Sequence, residues 1–152
     1  MEPNHSINCY ISGALTGIAN PEATKAFYEN IGLLCEKMGF NAYVPHLHTD
    51  PVNNPDVTPQ QVFETDKKMV SQADLVIVYM GQPSFGVGME IAYAEMNQIP
   101  IILVYEEGKT ISRFPRGIPT KIGEVVFKTH EDALQQLREI LETSLINVPV
   151  PR

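Results

Sequence analysis

Two acidic side chains stand where a carboxylate would do chemistry. Glu90 closes the segment Gln82-Pro83-Ser84-Phe85-Gly86-Val87-Gly88-Met89-Glu90, and Asp66 lies on an otherwise apolar helical face. In the first segment Gly86 and Gly88 let the backbone turn tightly and approach a ligand closely. A helix read from Gly86 to Asn97 puts Glu90 in its first turn, bordering an inward face of Val87, Ile91 and Ala94. There the positive end of the helix dipole favours the ionised carboxylate. A fixed, ionised carboxylate can act as a covalent nucleophile on a sugar carbon. First-turn glutamates often do no more than complement the dipole. No capping box accounts for this one, because Val87 occupies the position where Ser or Thr would sit.

Asp66 gives an independent signal. On a helix that starts at Thr58-Pro59 and ends near Ser71, it is spaced three or four residues from Val62, Phe63, Met69 and Val70. That spacing places it on the buried stripe. A buried Asp needs a partner, either a structural hydrogen bond to a neighbouring loop or a place in a reactive site. Asp74 begins a strand at the opposite edge and reads as a turn or cap residue. Tyr10 ends the first strand, and either reaches the cleft or belongs to the core. His46-Leu47-His48 offers two histidines without a third ligand at a recognisable spacing, so no metal site is expected. His46 reads as loop packing or as lining of a substrate pocket. Ser112-Arg113-Phe114-Pro115-Arg116-Gly117 is a basic segment in an acidic chain, and it is either a phosphate grip or a solvated loop.

The elements that must position these groups follow from periodicity and caps. Ile7 to Ile11 is a strand that runs into the small-residue loop Ser12-Gly13-Ala14-Leu15-Thr16-Gly17. Asn20-Pro21 starts a helix that buries Phe27, Ile31, Leu34 and Met38 and stops at Gly39. Phe40 to Val44 is the second strand, and Pro45 to Pro59, with four prolines and two asparagines, reads as a long loop. Asp74 to Met80 is a continuous apolar run, as expected of a central parallel strand covered on both faces. Ile99 to Tyr105 and Glu124 to Lys128 are further strands, and Thr129 opens an amphipathic helix through Leu145. Five strands alternating with helices imply an α/β fold, a parallel doubly wound sheet of flavodoxin-like order 2-1-3-4-5. Ligands of such sheets bind beyond the carboxyl ends of the strands at the switch point, here between the first and third. The single domain is expected over 1–146, with 147–152 as a tail.

Composition narrows the partners. The chain has 152 residues, 43% hydrophobic and 19% charged, as suits one globular domain. A net charge of -7 argues against a polymeric nucleic acid partner but leaves room for a local phosphate grip. No apolar stretch approaches the roughly 20 residues of a membrane span, and no signal peptide is visible. Cys9 and Cys35 match no metal spacing and read as buried thiols, which fits a soluble, cytoplasmic protein without cofactors.

Several of these segments together resemble the nucleoside 2-deoxyribosyltransferase superfamily, above all its hydrolytic branch, the 2'-deoxynucleoside 5'-phosphate N-hydrolases. The resembling residues are Tyr10-Ile11-Ser12-Gly13, Asp66 with Ala73-Asp74-Leu75-Val76-Ile77-Val78, the Gln82 to Glu90 block, and Ser112 with Arg116-Gly117. The resemblance implies retaining cleavage of an N-glycosidic bond, with Glu90 as nucleophile and Asp66 and Tyr10 beside it. It also implies that a nucleoside or nucleotide is held by the first loop, with Ser12, Gly13 and Thr16, and by the segment of Ser84, Gly86 and Gly88. Ser112 would come from a neighbouring subunit, which makes the protein a homodimer or a higher homo-oligomer. Where the hydrolytic branch carries a serine and an arginine in the first loop, this chain has Ala14 and Thr16. Arg113, with Arg116, is the candidate replacement cation. The asparagine signature of the transferase branch is not recognised in the proline-rich tail. Three alternatives stay open: base exchange on free nucleosides, a non-catalytic nucleotide sensor, and a flavin-binding domain. The last is disfavoured by the lack of Trp and of a hydroxyl-rich first loop.

Overall fold

The computed structural model describes residues 6–144. The tail 147–152 and the end of the last helix at Leu145 lie outside the described residues. The elements run β1 (Asn8–Ser12), α1 (Pro21–Lys37), β2 (Asn41–Tyr43), α2 (His46–Thr49), α3 (Pro59–Ser71), β3 (Leu75–Tyr79), α4 (Phe85–Met96), β4 (Ile101–Glu106), α5 (Arg113–Arg116), β5 (Lys121–Phe127) and α6 (His130–Ser144). The five strands are all parallel and ordered β2-β1-β3-β4-β5, as the alternation of elements predicts.

The period-2 geometry of the strands divides the core in two. Leu75, Ile77 and Tyr79 of β3 pack with Cys9 and Ile11 of β1 against Phe27 and Ile31 of α1 and Leu137 of α6. Val76 and Val78 point the other way, with Tyr10 of β1, onto Val70 of α3 and Val87, Ile91 and Ala94 of α4. This explains why every residue of β3 is buried. Each such aliphatic side chain contributes about 1.5–3 kcal/mol when withdrawn from water. At the amino edge, the Asn8 amide donates to Asp74 Oδ2 at 2.8 Å, so Asp74 closes the edge away from the site, as its position in sequence suggests.

Caps set the helix ends. Asn20 caps α1, Met38 ends it, and Gly39 turns the chain with φ of 89°. Thr58 and Gln61 form a reciprocal capping box on α3. Several boundaries differ from the sequence reading. The Pro45–Pro59 segment is not loop throughout, because α2 forms within it, closed by the Thr49 hydroxyl donating to the Pro45 carbonyl at 3.0 Å. Beyond α2, buried Asp50 accepts from Lys25, from the Val52 amide at 3.0 Å and from Asn53 Nδ2 at 3.1 Å, which pins the rest of the loop. The fourth strand starts at Ile101 rather than Ile99, after Pro100, and the fifth starts at Lys121 rather than Glu124. The basic segment after β4 coils into the single turn of α5.

Candidate active site

The site lies beyond the carboxyl ends of β1 and β3, where the strand order reverses. A cleft of about 700 Å³ opens there between the β1–α1 loop, the segment after α2, and helices α3 and α4. Gly13, Thr16, Asp66, Ser84, Gly86 and Glu90 are among its lining residues.

Glu90 reaches the cleft from the second turn of α4, not the first. Ser84 is the N-cap, its hydroxyl accepting from the Val87 amide at 3.3 Å, and α4 therefore begins at Phe85. The expected dipole stabilisation is thus weak, since that effect falls off within the first turn. Burial dominates and pushes the Glu90 carboxyl up to about 7, with Asp66 adding to the rise and the Ser12 hydroxyl opposing it. Ser12, completely buried at the end of β1, donates its hydroxyl proton to Glu90 Oε2. Its hydroxyl proton is thus engaged by Glu90, and Ser12 is not among the residues that line the cleft.

Asp66 lies half-buried on the cleft side of α3, and its Oδ1 is a buried oxygen without a hydrogen-bond partner. Burial raises its carboxyl to about 6. Two carboxyls with raised proton affinity in one cleft are the arrangement expected of an acid–base or nucleophile pair. Tyr10 is core by burial and site by position. Its hydroxyl is buried and unpartnered, and its ionisation is opposed first by burial and then by the charges of Glu90 and Asp66.

The glycines differ in what they do. A Cβ at Gly13 would lie 2.3 Å from the Tyr28 ring, whose hydroxyl donates to the Ala14 carbonyl at 3.0 Å. We expect Gly13→Ala to displace the first loop, with a stability loss of about 1–3 kcal/mol in urea unfolding and a matching loss of ligand binding. At Gly86 a Cβ would meet only Ser84 Oγ at 3.8 Å, and at Gly88 nothing within 4 Å. The packing of the chain itself demands neither glycine, and each weakens the helix by roughly 0.5–1 kcal/mol relative to Ala. Gly86 lines the cleft and keeps its mouth open, whereas Gly88 does not line it.

Other expected contacts are not brought together within one chain. His46 is buried beside Tyr28, with Nε2 3.4 Å from Glu29 and no aligned hydrogen bond, and it does not line the cleft. Ser112, Arg113 and Arg116 also lie outside the lining. Arg116 faces Glu124 at 3.4 Å, a carboxylate that also accepts from Lys121 at 2.8 Å and from the Tyr105 hydroxyl at 2.8 Å. Tyr43 was not singled out in the sequence. Its register opposite Tyr10 places its hydroxyl, also buried and unpartnered, on the same face of the sheet. The alternation of β2 was the signal available for it. Among the described residues no helix is long and apolar enough to cross a membrane.

Comparison with known proteins identifies relatives of the chain and of its fold. A protein of Thermofilum pendens, named provisionally as a 2'-deoxynucleoside 5'-phosphate N-hydrolase, is 29% identical over 114 residues, which is 72% of this chain and 80% of that protein. A protein of Syntrophotalea carbinolica with the same provisional name is 35% identical over 92 residues, 59% of this chain and 61% of that one. The CMP N-glycosidase BcmB of Clostridium botulinum shares the fold with a TM-score of 0.66 at 22% identity, over 86% of this chain and 96% of that one. The family model described as nucleoside 2-deoxyribosyltransferase matches residues 10–136, a span that runs from Tyr10 within β1 past both carboxylates and the Ser84 cap, and the chain belongs to that family.

Proposed function

We propose that this enzyme of N-glycosidic bonds hydrolyses a (deoxy)nucleoside 5'-monophosphate or nucleoside by a retaining mechanism with Glu90 as nucleophile. The observation that carries the reading is the meeting of Glu90, Asp66 and the Ser12 hydroxyl at the switch point of the sheet. Glu90 attacks the anomeric carbon from the face opposite the base, through an oxocarbenium-like transition state. The carbon–nitrogen bond breaks as the ester bond forms, and protonated Asp66 supplies the proton the departing base needs. Water then attacks the same carbon, gives its proton to the Asp66 carboxylate and releases Glu90. Two inversions leave the sugar with its original configuration.

The phosphate of a 5'-monophosphate fits between the first loop and the amino end of α4, where Ser84 caps the helix and backbone amides point outward. That loop offers Thr16 but no cation, and Lys67 is the basic residue among the lining residues. We assign the missing cation to a second copy of the chain, in a homodimer or higher oligomer whose Ser112 and Arg113 reach over the cleft. Exposure of Phe85 at the cleft and of Phe114 beside Arg113, 99% and 94%, is consistent with such a covering partner.

A second reading is base exchange, in which an incoming base rather than water attacks the ester. The match to a deoxyribosyltransferase family favours it. One experiment addresses both. The protein is incubated with nucleosides and their 5'-monophosphates, with and without added free base, and the quenched protein is examined by mass spectrometry. Expected are free base, faster release from monophosphates, and a glycosyl adduct on Glu90 with a slowly deglycosylated 2-fluoro substrate. Incorporation of the added base would establish exchange. An adduct on another residue, or inverted product, would overturn the mechanism. Arg113→Ala should erase the preference for the phosphate, and an unchanged preference would remove Arg113 from the site.

A further inference from the structure

The loop that leads from β3 into α4 is held by side chains to which the mechanism above gives no task. They come from the end of β4, where Glu106 is followed by the turn Glu107-Gly108-Lys109. Gly108 takes φ of 83°, a left-handed conformation that glycine adopts without strain. The turn closes with the Lys109 amide donating to the Glu106 carbonyl at 3.3 Å. It brings the two side chains together, with Lys109 Nζ 3.4 Å from Glu106 Oε2.

Both side chains meet Gly81, just beyond β3. Lys109 Nζ donates to the Gly81 carbonyl at 2.7 Å. The Tyr79 hydroxyl donates to Glu106 Oε1, and a Cβ at Gly81 would collide with that hydroxyl and with Glu106 Oε2. Only glycine lets the backbone come this close, so Gly81 is enclosed by Tyr79 and Glu106 and anchored through its carbonyl by Lys109. The segment it leads into forms the cleft wall. Pro83, Ser84, Phe85 and Gly86 line the cleft, whereas Glu106 and Lys109 do not. Ser84 in turn accepts from the Val87 amide at 3.3 Å through its hydroxyl and from the Gly88 amide at 3.1 Å through its carbonyl, which sets the start of α4.

We propose that Lys109 is a positioning residue that fixes the β3–α4 loop through the Gly81 carbonyl and so sets where the amino end of α4 meets the substrate. The proposal rests on the placement of the phosphate given above. An ammonium donating to a carbonyl makes a charge-assisted bond, and Glu106 keeps that ammonium in place. Glu90 is held separately, by Ser12 and by the packing of Val87, Ile91 and Ala94 against the sheet. Lys109 therefore acts on binding rather than on the chemical step. Its side chain is 45% exposed, so the effect expected of it is modest.

Lys109→Met tests this, because it keeps an apolar stem of similar length and removes the donor. Exchange of backbone amides in deuterated water is followed by NMR in the protein without substrate, so the readout does not depend on turnover. The Val87 and Gly88 amides should exchange about fivefold faster, the scale of one net hydrogen bond. Amides of β1 and α3 should stay within about twofold, since local opening need not spread to other units of the fold. Lys109→Arg retains a charged donor and should restore most of the protection. With a nucleoside 5'-monophosphate, Lys109→Met should raise KM about fivefold and leave kcat within about twofold. Unchanged exchange at Val87 and Gly88, a rise spread over the whole chain, or an equal rise in both variants overturns the proposal. A fall in kcat at unchanged KM overturns it as well. The phosphate placement fails on different evidence, namely a parent protein that releases base from nucleosides and their monophosphates equally fast.

Discussion

Glu90→Gln is expected to abolish turnover and to leave a protein more stable than the parent above pH 7. Loss of a covalent nucleophile removes the chemical step itself, and about 10⁴-fold or more in kcat is the expected scale. The stability gain follows from the sign of the proton linkage. Burial raises the carboxyl from 4.5 to about 7 in the folded state. Between those values the folded protein binds more protons than the unfolded chain, so stability falls as pH rises through that window. Above pH 7 the full cost is present, on the order of 3 kcal/mol. A Gln of the same shape carries no charge to desolvate and still offers Ser12 an acceptor oxygen. Thermal unfolding at pH 8 should show a gain of about 5 °C or more, which shrinks toward pH 5. Retained base release would remove Glu90 as nucleophile, and a variant less stable at pH 8 would show that the carboxylate is not held against its own desolvation. A nucleotide sensor, by contrast, would show no turnover in either protein and little loss of binding.

Ser12→Ala and Asp66→Asn should move the Glu90 limb of the rate profile in opposite directions. The nucleophile must be ionised while Asp66 keeps its proton, so kcat/KM is expected to follow a bell with limbs near 6 and 7. Only the minor form with Glu90 ionised and Asp66 protonated reacts, and the limb near 7 belongs chiefly to Glu90. Ser12 donates to Glu90 and favours its ionised form, so its removal shifts the limb to higher pH. Asp66 adds a like charge and raises Glu90, so its neutralisation shifts the limb to lower pH. The two acids titrate as a pair, and the midpoints belong to the pair. Asp66→Asn should also slow base departure by about 10²-fold or more, the usual contribution of a general acid. Measured as kcat/KM against pH on one substrate, shifts in the same direction for both variants would break the proposed Ser12–Glu90–Asp66 arrangement.

Local sequence was enough for much of the fold. The run Leu75–Tyr79 could only be a strand covered on both sides, Gly39 had to end α1, and the alternation of elements left few topologies besides 2-1-3-4-5. The helical spacing of Val87, Ile91 and Ala94 gave the buried face of α4 and put Glu90 at its border. Boundaries were less legible, because capping competes over short distances. Ser84 offers the better cap and draws the helix start back to Phe85, which moves Glu90 into the second turn.

The environment of the site was decided by tertiary structure. A carboxylate near a helix start looked ionised from its neighbours in the chain, whereas burial makes it hold its proton to about 7. That burial comes from β1, α3 and α4 closing over one another, and no local pattern records it. The same holds for Ser12, which reaches across 78 residues of sequence to Glu90. His46 turned inward, and the Ser112–Arg116 turn stayed outside the cleft, because packing rather than proximity in sequence selects which side chains share a cavity. Periodicity and caps act over one or two turns of chain, and the sequence by itself therefore determined the elements, their order and the two acids. Desolvation of residues 66 and 90 and the hydrogen bond between residues 12 and 90 act across the assembled sheet, and only the folded chain could decide them.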